Sequence, residues 1–166
     1  MESHKAVSPA LQPHGWPGLL RWSRPLFAAK NGAGSDAGTP KTKRILIIED
    51  DFLVAMEMEG ALHDAGFAIA GVAASGEEAV ELAAAQRPDL AVVDIRLAGD
   101  RDGVDTAVEL LRSHGVRSIF ATAHADRETR SRAQAAAPLG WLQKPYTMAS
   151  LVFQVRDALG KAHGEE

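Results

Sequence analysis

The sequence predicts an α/β domain, a doubly wound sheet of five parallel strands with helices on both faces, and three observations carry that prediction. Short apolar runs rich in β-branched residues, clearest in Ile45-Leu46-Ile47-Ile48 and Leu90-Ala91-Val92-Val93, read as strands buried on both faces. Segments with apolar residues at helical spacing separate the runs, so strand and helix alternate over residues 44–160. Both clear runs end in acid, Glu49-Asp50-Asp51 after the first and Asp94 after the other. In an open parallel sheet, ligands bind in the crevice beyond the carboxyl ends of the strands.

Each element follows in turn. Residues 44–48 form the first strand. Val54, Met58, Ala61, Leu62 and Ala65 then recur at helical spacing, and Gly66 falls where a helix end wants a left-handed residue. Residues 67–73 form a weaker second strand. Ser75 and Glu78 make a capping box that opens a helix running to Gln86, before Pro88. A polar loop after Asp94 leads to a helix marked by Val104, Ala107, Val108 and Leu111, ending near Gly115. Residues 116–121 are the fourth strand, 125–136 an Arg- and Ala-rich helix with a small apolar face, and 139–143 a short fifth strand. Thr147 starts a last helix carrying Met148, Leu151, Val152, Val155, Ala158 and Leu159 on one side, which ends near Gly160 and leaves 161–166 as a fraying tail. Right-handed crossovers make such an alternation a doubly wound parallel sheet.

Composition narrows the function. At 166 residues and 46% hydrophobic content, one domain with one ordinary core is expected. The absence of cysteine excludes disulfides, thiol catalysis and cysteine-ligated zinc, and suits a reducing cytoplasm. The histidines show no ligand spacing. Residues 1–43 carry six Lys/Arg against Glu2 and Asp36, which leaves 44–166 with twelve against twenty. The folded part is therefore acidic, and neither a nucleic-acid surface nor a membrane span is expected, since no apolar run approaches the roughly 18 residues of a span.

Residues 1–43, with Pro9, Pro13, Pro17, Pro25, Pro40 and a Gly-rich stretch from Asn31 to Gly38, read as a disordered extension. Trp16, Leu19, Leu20, Trp22, Leu26 and Phe27 offer an apolar docking segment within it. A loose tail, a start placed too far upstream and an organelle-targeting segment are the other readings.

The strand ends supply the chemistry: Glu49, Asp50 and Asp51, then Asp94, Thr122 and Lys144. Carboxylates converging from two strands repel one another unless a hard cation lies among them. A magnesium-type site with one hydroxyl and one ammonium suits a tetrahedral oxyanion such as phosphoryl, and Asp94 is the best nucleophile, because a carboxylate can form an acyl phosphate.

At Ile45-Leu46-Ile47-Ile48-Glu49-Asp50-Asp51, Asp89-Leu90-Ala91-Val92-Val93-Asp94, Ala121-Thr122-Ala123 and Lys144-Pro145 the chain resembles the receiver domain of two-component response regulators, over residues 44–160. The resemblance implies a flavodoxin-like fold with strand order 2-1-3-4-5. It also implies a stand-alone, CheY-like receiver that takes a phosphoryl group on Asp94 from a histidine kinase or histidine phosphotransfer protein. Mg2+ (or Mn2+) would be held by Asp50 and Asp94, by Glu49 through water and by the Arg96 carbonyl. Lys144 would pair with the phosphoryl oxygens and Pro145 follow it through a cis bond, while Thr122 moves toward the phosphoryl group on switching. Slow self-dephosphorylation is implied, and Arg96 and His124 stand where family members tune it. Output would pass to a downstream protein through the fourth helix, fifth strand and fifth helix, a face also suited to homodimers, with no output domain expected after the last helix.

Departures from the family pattern matter too. The loop after Asp94 lacks the hydrophobic-proline-glycine turn and carries Asp100-Arg101-Asp102 instead. Trp141 occupies the position of the switching aromatic, where an indole is larger than a phenol ring and has no hydroxyl, and it reads either as a switch or as a half-buried core ring. Phe120-Ala121-Thr122 resembles the start of the FATGUY signature of mostly single-domain regulators, but Ala123-His124-Ala125 departs from it. Plainer readings stand beside these: helix-terminal carboxylates for Asp50 and Asp51, a surface charge for Lys144, a helix cap for Thr122 and, for Arg127, Arg130 and Arg132, a solvated face in place of a partner-recognition face. Two other functions are weighed against phosphoacceptance. A pseudo-receiver would bind its partner unphosphorylated. A flavodoxin-like cofactor binder or small phosphohydrolase would need a phosphate-cradling loop where Glu49-Asp50-Asp51 stands.

Overall fold

The computed structural model describes residues 41–123 and 126–163. The extension before residue 41, His124, Ala125 and the last three residues lie outside them, and with these the expectations for the docking segment and His124.

Five parallel strands form one sheet in the order β2-β1-β3-β4-β5: β1 Arg44–Ile48, β2 Ala68–Ala73, β3 Leu90–Asp94, β4 Ser118–Thr122 and β5 Gly140–Gln143. The helices between and after them are α1 Phe52–Asp64, α2 Gly76–Gln86, α3 Gly103–His114, α4 Arg127–Ala133 and α5 Met148–His163. This is the doubly wound, flavodoxin-like order expected.

Alternation along the strands divides the core in two. Leu46, Ile48, Ala91, Val93 and Phe120 face α2, α3 and α4, meeting Ala79, Ala83, Val104, Ala107, Leu110 and Ala133. Ile45, Ile47, Leu90, Val92 and Ile119 face α1 and α5, meeting Met58, Leu62, Leu151 and Val155. A fully buried Ile, Leu or Val side chain contributes about 1.5–3 kcal/mol, so these central strands hold the sheet.

Helix ends use local chemistry. Gly66 takes φ +91° after α1, with Gly66 N donating to His63 O and Phe67 N to Leu62 O, a Schellman closure. The capping box holds in modified form: Glu78 N donates to Ser75 Oγ at 3.3 Å, and Glu78 reaches back to Ala74 N at 2.9 Å rather than to Ser75 N. Thr147 caps α5 by accepting from Ser150 N.

Some boundaries differ. The segment expected as one helix over 125–136 is α4 followed by a 3-10 turn, Gln134–Ala136, because Ala133 and Ala136 alone give it a buried side. Left-handed residues just ahead of prolines then close it and α2, Ala137 at φ 44° and Arg87 at φ 47°. The fourth strand starts at Ser118 and includes Thr122, whereas Val116 lies outside the ladder. Past Gly160, α5 continues to His163, where a tail was expected, supported by Lys161 Nζ on Asp157 Oδ2 at 2.6 Å.

Candidate functional site

Strand register brings the site together. Ile48 pairs with Val93, so the next residues, Glu49 and Asp94, lie side by side at the carboxyl edge. Asp94 pairs with Ala121, which puts Thr122 one step beyond, and Thr122 pairs with Gln143, which puts Lys144 one step beyond that. Lys144 N closes the ladder on Thr122 O at 2.8 Å. The Lys144–Pro145 bond is cis, and Tyr146 seats the following turn by donating to Met58 Sδ of α1.

Glu49, Asp50 and Asp94 each offer an oxygen within 4.8 Å of the others. Lys144 Nζ lies 2.6 Å from Asp94 Oδ2 and 2.7 Å from Glu49 Oε2. Backbone amides take further oxygens: Arg96 N donates to Asp94 Oδ1, Ala98 N to Asp50 Oδ2 and Asp51 N to Glu49 Oε1. Glu49 is buried, and that burial pushes its pKa up, against the hydrogen bond from Lys144 that pulls it down. Burial acts to lower the pKa of Lys144, but its bonds to Asp94 and Glu49 outweigh this and leave the ammonium more strongly protonated than an ordinary lysine.

Asp51 stands apart from the other acids. Its Oδ1 accepts from Leu53 N and Val54 N and caps α1, so the plain helix-terminal reading is correct for Asp51, and the gathered carboxylates are Glu49, Asp50 and Asp94. Thr122 is buried at the end of β4. Arg96 is exposed, and its amide is the group that meets Asp94. Trp141 is half-buried on the α4 side of the sheet, its ring centroid 5.0 Å from that of Phe120 and the Arg130 guanidinium carbon 4.6 Å above it. Arg132 binds Asp102 Oδ2 at 2.8 Å and Asp105 Oδ1 at 3.1 Å. Arg130 and Arg132 are therefore engaged with the domain, not members of a merely solvated face.

Two contributors escaped the sequence reading. Gly103 opens α3 so close to β3 that a Cβ there would overlap the Asp94 carbonyl, and its N–H donates to Ile95 O. Asp102 is the N-cap of that helix. Asp102-Gly103 directly ahead of the apolar run starting at Val104 is the signal that would have found both.

Residues 45–156 match the response regulator receiver domain. The chain belongs to this family. Among receiver relatives, transcriptional regulatory protein PdtaR of Mycobacterium tuberculosis is 33% identical over 130 residues, a match covering 78% of this chain and 63% of PdtaR. Phyllosphere-induced regulator PhyR of Methylorubrum extorquens is 35% identical over 129 residues, covering 76% of this chain and 47% of PhyR. The chain thus spans only part of the length of either relative. The signal receiver domain of a modulated diguanylate cyclase from Desulfovibrio desulfuricans is similar in structure, with a TM-score of 0.70 and 39% identity over 76% of this chain and 100% of that one. Among the described residues, no helix is long and apolar enough to cross a membrane.

The donor set fits the divalent cation that receiver domains generally bind. Carboxylate oxygens from two adjacent strand ends, gathered within 4.8 Å of one another, are the hard ligands that magnesium takes.

Proposed function

We propose that this receiver domain is a phosphoacceptor: Asp94 takes a phosphoryl group from a phosphohistidine of a histidine kinase or histidine phosphotransfer protein. An Asp94 carboxylate oxygen forms the new O–P bond as the P–N bond to the donor imidazole breaks. That bond's electron pair returns to the imidazole nitrogen, which recovers a proton. The observation that supports this best is Asp94 itself, one oxygen 2.6 Å from the Lys144 ammonium and the acids Glu49 and Asp50 beside it.

Glu49, Asp50, Asp94 and the Arg96 carbonyl would hold Mg2+ or Mn2+, which when bound offsets charge on the phosphoryl oxygens. Lys144, now shared between Asp94 and Glu49, has only to keep its place to pair with a phosphoryl oxygen. The amides of Arg96 and Ala98 hold Asp94 and Asp50 at the edge of the sheet. Thr122, at the end of the neighbouring strand, is the hydroxyl that turns to the phosphoryl group, and Trp141 is the ring that responds.

Output passes through the face of α4, β5 and α5, to a downstream protein or a second copy of the chain. Phe153 of α5 supports this, being 69% exposed beside a groove lined by Gln143, Pro145, Thr147 and Gln154. The acidic charge of the folded part disfavours nucleic acid as the direct partner, and a cytoplasmic setting fits both cysteine usage and a kinase partner.

The test is treatment of the chain with acetyl phosphate and magnesium, read by intact mass. One phosphoryl adduct on wild type and none on Asp94→Asn is expected. No adduct on wild type, or an undiminished one on Asp94→Asn, rejects the reading.

A further inference from the structure

The segment between Asp94 and α3 is held from two sides. On one, Arg101 Nε lies 3.8 Å from Glu77 Oε1 of α2, and the Arg101 stem, together with the Thr106 hydroxyl of α3, takes the space that a side chain at Gly76 would need. On the other, Arg132 of α4 grips Asp102 and Asp105. Asp102 does two things at once: its Oδ1 caps α3 through Asp105 N at 2.9 Å while its Oδ2 receives Arg132. The next residue, Gly103, is bonded to Ile95 O beside Asp94. The same segment supplies the amides of Arg96 and Ala98 that hold Asp94 and Asp50. A row of direct contacts therefore runs from Arg132 to the carboxylate pocket. Helix α4 is the loose end of that row, because Ala133 is its buried residue and an element with so few apolar contacts opens readily.

We propose that Arg132 is a positioning residue for the acidic pocket, so that a partner carboxylate drawing Arg132 away from Asp102 and Asp105 weakens cation binding at Glu49, Asp50 and Asp94. This rests on the phosphoacceptor reading and adds a route by which occupancy of α4 reaches the pocket. Coupling is reciprocal, so a cation in the pocket favours the α4 position in which Arg132 is paired. An exposed arginine–carboxylate pair biases an equilibrium modestly, and the effect on affinity is roughly two- to fivefold.

The sign separates this from simple charge. Removing a positive side chain near a cation site tightens cation binding through the field alone. Loss of positioning loosens it. Mg2+ is titrated into the full chain, followed by the amide NMR shifts of Arg96 and Ala98, for wild type, Arg132→Ala, Arg132→Lys and Arg127→Ala. Two- to fivefold weaker binding is expected for Arg132→Ala, partial recovery for Arg132→Lys, and unchanged or slightly tighter binding for Arg127→Ala, whose charge sits on the same helix. Unchanged shifts of the β1 and β3 core amides establish that each variant is folded. Equal or tighter binding by Arg132→Ala overturns the role of Arg132 and leaves the phosphoacceptor reading standing. A wild-type chain that binds no Mg2+ overturns both.

Discussion

The ammonium of Lys144 bridges the carboxylates of Asp94 and Glu49, 2.6 Å from one and 2.7 Å from the other, with the Glu49 side chain almost wholly out of solvent. Lys144→Met leaves two neighbouring acids without their shared counter-charge. The expected cost is about 1.5–3 kcal/mol at neutral pH, the range for a hydrogen-bonded charge whose partner is deleted. Urea denaturation in EDTA checks this, and repeating it in magnesium tests the cause, since a cation bound only by the folded state restores part of the loss. A variant as stable as wild type in EDTA would show that the acids do not need the lysine.

Gly103 meets the backbone of Asp94 where no side chain fits. Gly103→Ala forces α3 away from β3 or bends the strand end, and overpacking of this kind costs typically 1–3 kcal/mol. Because the displaced backbone carries Asp94, phosphoryl uptake from acetyl phosphate is expected to slow as well. Gly60→Ala is the control: nothing lies within 4 Å of a Cβ there, and α1 gains helix propensity.

These two sites mark how far residue order alone reaches. The strands were legible because Ile45 and Ile47, with Leu90 and Val92, are apolar on one face of the sheet and Leu46, Ile48, Ala91 and Val93 on the other, a pattern that survives without knowledge of neighbours. Once the strands are placed, convergence of Glu49, Asp94, Thr122 and Lys144 follows from parallel register. Asp51 was ambiguous because a carboxylate ahead of a helix serves a cap or a cation equally well, and only the direction of its side chain decides. Arg132 and Gly103 act through contacts with Asp102 and Asp94 made only when α3 and α4 dock, and helical periodicity carries no record of such meetings. The length of α4 was misjudged for a related reason: alanines mark a buried side so faintly that the change to a 3-10 turn leaves no pattern.

Glu59 gives a pH dependence of known sign. It is 7% exposed on α1, and burial raises its pKa above 4.5, with His63 opposing. A raised carboxyl binds its proton more tightly in the folded chain than in the unfolded one. Its contribution is most favourable below the unfolded value and is lost as pH rises through the folded value. Glu59→Gln is therefore expected to melt higher than wild type at pH 7, with the gap closing as pH falls below the ordinary carboxylate range. Melting curves by circular dichroism from about pH 8 down to about pH 3, below the ordinary carboxylate range, check the sign. A gap that widens toward acid contradicts the burial cost.

Trp141 is held by two contacts that any inward rotation must break. The tilted stack on Phe120 is worth about 0.5–1.5 kcal/mol and the Arg130 guanidinium over the ring about 0.5–1 kcal/mol. Phosphorylation moves the indole only to the extent that the rotated state binds the phosphoryl group better by a comparable amount. Arg130→Ala removes one of the two restraints and is expected to raise the rotated share roughly two- to fivefold. With Trp16→Phe and Trp22→Phe, Trp141 is the sole indole and its emission reports its surroundings. A change in emission on treatment with acetyl phosphate and magnesium is expected, larger in the Arg130→Ala background and absent from Asp94→Asn in either. Emission that stays constant on phosphorylation, with and without Arg130, makes Trp141 a fixed ring of the core and leaves Thr122 to report the phosphoryl group by itself.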